Sequence, residues 1–164
     1  MFKIKDITII AIFSTLLFLQ EQIFTFIPNF QLTVFLLVVY SKSFGLVRTL
    51  LIVLIHTILD NIFMSSFSFL YFPFMLIGWS IIPIVLCTIF KNVENIYLLA
   101  AIGALCSFIY CWLFIIPQVL ITDVDVLHYI IVDIPWEILL ALSSFLSILW
   151  LYKPCSSFLI KYKQ

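Results

Sequence analysis

Glu21, His56, Asp60 and Glu137 are ionisable side chains set within long apolar stretches. At membrane depth such a group is costly unless it lines a cavity or finds a partner, so each is a candidate for holding a ligand, relaying a proton or joining helices. His56 and Asp60 are four residues apart and share a helical face, where they could bond to each other as a purely structural pair worth about 0.6 kcal/mol, or belong to a site. Polar neighbours gather around them: Gln20, Asn29 and Gln31 near Glu21, Asn61 beside Asp60, and Asp133 four residues before Glu137. Trp79, Tyr110, Trp112 and Trp136 add flat aromatic faces, which stack on planar ligands and hold cations; singly, such rings also anchor helices at a membrane interface. The expected ligand-binding set is Gln20, Glu21, Asn29, Gln31, Asp60, Asn61, Trp79, Tyr110, Asp133, Trp136 and Glu137.

Other chemistries find little to work with. No nucleophile motif, phosphate-binding loop or H-E-x-x-H occurs, and the two histidines, His56 and His128, have no partner at ligand spacing. Neither an enzyme, nor a metal site, nor a bound cofactor is expected. Cys87, Cys106, Cys111 and Cys155 show no C-x-x-C spacing and read as small apolar residues. The formal net charge of zero gives no ground for a nucleic-acid partner.

The elements that must position these groups follow from hydropathy. Of the 164 residues 65% are hydrophobic and 10% charged, far from the roughly 45–50% and 25% usual in soluble domains. Mean hydropathy is +1.30. Lipid is therefore the expected solvent, and in lipid a chain satisfies its backbone only as helices or a closed barrel. With about 20 apolar residues needed per crossing, the chain divides into six transmembrane helices forming a single all-α domain over residues 1–164: 7–26, 28–43, 46–64, 71–90, 96–120 and 135–152. Pro28 and Pro135 suit first turns, and Gly45 a tight turn. Residues 121–134, with Asp123, Asp125, His128 and Asp133, form the one long polar connection. The start of the chain imitates a signal peptide, but the apolar run continues into Gln20, Glu21 and Gln22 without a cleavage site and is kept as a helix. Six spans with both termini cytoplasmic put Lys3, Lys5, Lys42, Arg48, Lys91, Lys153, Lys161 and Lys163 on the cytoplasmic side. The outer half then holds Glu21, Asp60, Asp123, Asp125, Asp133 and Glu137 and no Lys or Arg. An acidic outer vestibule is expected, and it favours a neutral or cationic ring compound over one that needs a basic partner. On the first helix Ala11, Ser14 and Thr15 make a small-residue patch that would let another helix approach closely.

The order of these features resembles the substrate-binding (S) component of energy-coupling factor (ECF) transporters, a bacterial vitamin-uptake family of six-helix proteins. The resemblance is carried by Ile27-Pro28-Asn29-Phe30-Gln31-Leu32-Thr33, by Phe44-Gly45-Leu46-Val47-Arg48, and by Asp133-Ile134-Pro135-Trp136-Glu137 leading to Lys153-Pro154. It implies a plasma-membrane protein that binds a vitamin or precursor from outside, while a transmembrane coupling subunit and two ATPase subunits drive release. In that family two alanines at i, i+4 on the first helix meet the coupling subunit; here the place reads Ala11-Ile12-Phe13-Ser14-Thr15. Two other readings share the size and helix count: a structural scaffold like the rod-shape proteins of the bacterial envelope, and a proton-coupled carrier using His56, Asp60 or Glu137 as a relay.

Overall fold

Every apolar run longer than a turn becomes a helix, as a chain with little polar surface requires. The computed structural model describes residues 3–27, 29–63 and 68–163. Six helices follow one another: α1 Ile4–Phe24, α2 Thr33–Phe44, α3 Leu46–Phe63, α4 Tyr71–Cys87, α5 Ile96–Thr122 and α6 Val126–Lys163, with no strand among the described residues. Short connections make neighbours antiparallel. One end of the bundle holds Gly45 and the α4–α5 connection; the opposite end, here the α1–α2 end, holds the α1–α2, α3–α4 and α5–α6 connections.

Four helices, α1, α3, α5 and α6, are long and apolar enough to cross a membrane. Exposed Ile, Leu and Phe cover their outer faces, compatible with a multi-pass membrane protein. Two of the six expected spans are thus shorter than a crossing needs, the second of which, 28–43, is already short for a full span in the sequence. At 1.5 Å per residue, the 12-residue α2 measures about 18 Å and the 17-residue α4 about 25 Å, against a hydrocarbon core of about 30 Å. For α2 the reason is packing. It touches all five other helices, and Val34, Leu37 and Val38 are completely buried; enclosed by protein, it has no lipid thickness to match. By contrast, among the described residues, α1 packs only against the helices α2 and α3.

Local chemistry sets the remaining boundaries. Gly45 alone separates α2 from α3, with φ +80, a left-handed value that glycine adopts without strain. Lys42 Nζ donates to the carbonyls of Phe90 (2.7 Å) and Lys91 (3.1 Å), closing the chain just beyond α4. Asn95 caps α5 by accepting from the Tyr97 and Leu98 amides.

The sequence expectation fails between residues 121 and 134. Only Asp123, Val124 and Asp125 connect α5 to α6, and the polar residues there serve as caps. Asp123 closes α5 in the left-handed conformation (φ 54), its amide donating to Val119 O. Asp125 Oδ2 accepts the Leu127 and His128 amides at 3.1 Å each and so opens α6. The last helix therefore starts nine residues before the expected position 135, and Asp133, Pro135 and Glu137 lie within it. Helix α2 opens at Thr33 where 28 was expected; Pro28 and the expected end of the third helix at Met64 fall outside the described residues. Close approach of α5 to α6 and α2 rests on small residues. Ser107 and Ser144 Oγ atoms meet at 2.9 Å, and a Cβ on Gly103 would stand 2.4 Å from Ile148 Cδ1.

Candidate functional site

Helix α1 enters the site through Gln20 and Glu21. The Gln20 amide donates to Leu17 O (3.0 Å) and Thr33 Oγ1 (2.7 Å), and its Oε1 accepts the Leu32 amide (2.8 Å). One side chain thereby answers donors and acceptors at the start of α2, where the first helical N–H groups lack backbone partners. The Thr33 hydroxyl also donates to Glu21 Oε1. The other Glu21 oxygen faces His56 Nε2 at 3.5 Å, so the partner of His56 comes from α1 and the pairing with Asp60 along α3 does not form. Asp60, one turn further along α3, interacts with the Glu21 carboxyl. These three groups from two helices make a buried acidic cluster, with His56 completely inside and Asp60 4% exposed.

Beside it lies a cavity of about 560 Å³ at the α1–α2 end of the bundle, bordered by residues of all the helices except α2, and by the chain between α1 and α2. It reaches from exposed Thr25 and Ile27 to buried Asp60 and Trp79. An aromatic wall runs along α4 and α5. Trp79 and Tyr110 stack at 3.7 Å between centroids and 20° between planes, Tyr110 tilts against Phe114 at 4.9 Å, and Phe114 stacks on Tyr71 at 5.9 Å. Tyr71 Oη donates to Gln118 Oε1, which fixes its ring. Gly78 makes the wall possible, because a Cβ there would stand 2.6 Å from Tyr110 Cδ2.

Of the residues singled out from the sequence, Glu21, Asn29, Gln31, Asp60, Asn61, Trp79, Tyr110 and Asp133 line this cavity. Asn61 is held there by accepting the Ser68 amide at 2.6 Å and by a contact from its Nδ2 to Met75 Sδ. Gln20, Trp136 and Glu137 do not line it. Gln20 turns from α1 to the start of α2 as a positioning residue, Trp136 is 41% exposed on the outside, and Glu137 is buried between α5 and α6 with Trp112 Nε1 donating to its Oε2 at 3.2 Å. Of the α1 patch, Ala11 and Thr15 face outward, while Ser14 is buried and donates to Ile10 O. Lining residues that the sequence reading missed include Phe24, Phe30, Met75, Phe114 and Tyr129. Phe30 lies in the chain between α1 and α2; the helical ones go unmarked because in a helix that is apolar all round the cavity side and the lipid side have the same composition.

No Lys or Arg borders the cavity among the described residues, and those residues include no group of three His, Cys, Asp or Glu side chains able to hold a metal ion. The available chemistry is stacking on rings, acceptance of N–H donors by carboxylates and amides, and attraction of positive charge. In comparisons with known proteins, no family model, no curated protein and no solved structure matches this chain.

Proposed function

We propose that this chain is the substrate-binding component of a membrane uptake system of the energy-coupling factor type, capturing a vitamin or vitamin precursor in the cavity at the α1–α2 end. The observation that carries the reading is the cavity itself: about 560 Å³, within the 300–1,000 Å³ usual for small-molecule sites, lined by rings with a few convergent polar groups. A bundle serving only as a scaffold has no use for such a space. The positions of the basic residues support the sidedness. Lys3, Lys5, Lys42, Arg48, Lys91 and Lys153 all belong to the end opposite the cavity, and the positive-inside tendency supports a cytoplasmic position for that end, in the bacterial plasma membrane that the reading implies. The cavity mouth then faces outside. The chain has no phosphate-binding motif, so energy would come from separate subunits: a transmembrane coupling protein and two ATPases. The exposed face of α1 around Ala11 and Thr15, on a helix that among the described residues packs only against the helices α2 and α3, is the surface offered to the coupling protein.

The test is to purify the chain alone in mild detergent from cells grown in rich medium and to identify retained small molecules by mass spectrometry. One near-stoichiometric vitamin or precursor is expected. A protein that is empty, and whose tryptophan emission and melting temperature respond to no vitamin in a broad panel, refutes the reading.

A further inference from the structure

Glu21 and Asp60 reach the cavity from two helices, and no basic side chain borders it among the described residues. His56 stands behind them, so the cluster sets two carboxyl groups against one imidazole. Its hydrogen bonding is incomplete. Asp60 Oδ1 is buried on a residue lining the cavity and has no hydrogen-bond partner among the described residues, nor has His56 Nδ1, while His56 Nε2 faces Glu21 at 3.5 Å. An unmet acceptor of this kind beside a ring-lined cavity is what a bound donor would complete. Tyr110 and Phe114 continue the wall from the carboxylates toward the mouth, so a flat group lying along it can present its polar edge to Asp60 and Glu21.

Resting on the uptake reading above, we infer that the ligand is a planar aromatic compound bearing a protonated amino or amidino group. The ring lies on the wall of Tyr110 and Phe114, and the cationic N–H donors are received by Asp60 Oδ1 and the Glu21 carboxylate. Charge-assisted bonds of this geometry discriminate strongly, because a neutral isostere loses the charge and an anionic one meets repulsion.

A matched set of probes separates these cases: 2-naphthamidine (cationic), 2-naphthamide (neutral) and 2-naphthoate (anionic), titrated calorimetrically into the full-length protein in detergent. The amidine is expected to bind at least about tenfold tighter than the amide, with no measurable binding of the naphthoate. Asp60→Asn is expected to remove most of that preference, bringing amidine affinity down to within about threefold of the amide's. Glu21→Gln provides the same comparison should Asp60→Asn not fold. Equal affinities, a preference for the naphthoate, or a preference that survives both substitutions overturns the assignment. An acidic vitamin retained at stoichiometry on purification overturns the charge assignment while leaving the uptake reading in place. Failure to bind any probe, in a protein that also retains nothing, overturns both.

Discussion

Gly78→Ala tests the packing logic of the site without touching a polar group. The added methyl would stand 2.6 Å from Tyr110 Cδ2, about 1 Å inside an ordinary carbon–carbon contact. The ring cannot simply step away, because Trp79 stacks on it at 3.7 Å and Phe114 packs against it at 4.9 Å. Overpacking of this kind costs about 1–3 kcal/mol, and the better helix propensity of alanine returns about 0.8–1.0 kcal/mol. A net loss of about 1 kcal/mol should lower the melting temperature in detergent by about 2–4 °C for a chain of this size. The near-ultraviolet circular dichroism should also change, since that signal depends on the mutual orientation of stacked rings. Gly103→Ala is the control: its methyl would meet Ile148 Cδ1 at 2.4 Å and Val34 Cγ1 at 3.4 Å, with no aromatic ring near. It should lower stability and leave the aromatic signal intact. If Gly78→Ala keeps both the wild-type melting temperature and the wild-type aromatic spectrum, the argument that glycine is there to admit Tyr110 is wrong.

Two further substitutions address buried polar groups. Gln20→Leu leaves the Leu32 amide without its acceptor and Thr33 without the Gln20 donor; a loss of about 1–3 kcal/mol is expected in chemical denaturation, with faster hydrogen exchange at the start of α2. Trp112→Phe strips Glu137 of the donor to its Oε2, leaving a buried carboxyl whose other oxygen has no partner among the described residues. It should lower the melting temperature, and adding Glu137→Leu should recover much of the loss, because removing both partners is milder than orphaning one. A double variant no more stable than Trp112→Phe alone would contradict this account.

The sequence by itself determined the apolar character compatible with a multi-pass membrane protein, the helical class, the helix order and the clustering of basic charge. These depend on hydropathy and on the spacing of breakers, and both are local properties. It also singled out Glu21, Asp60, Asn61 and Asp133, which border the cavity, because they stand out against an apolar background: polar atoms are rarely left in such surroundings without a role. Even the missed start of α6 carried a local signal. Asp125 ahead of an apolar run is an N-cap, which the surrounding density of acidic residues disguised as a loop. What only the tertiary structure decided is which apolar faces look inward. Residues such as Phe114 and Ile116 are interchangeable in composition, yet one borders the cavity and the other is 49% exposed. The separation of Glu21 from Glu137 was likewise beyond the sequence: one carboxyl is half-buried and turned to the cavity, the other buried against an indole between two helices. The same holds for His56, whose neighbour along its own helix is Asp60 but whose closest partner, Glu21, arrives from α1. Contacts between helices depend on how whole helices pack, and in a chain apolar on every face no periodicity records that packing.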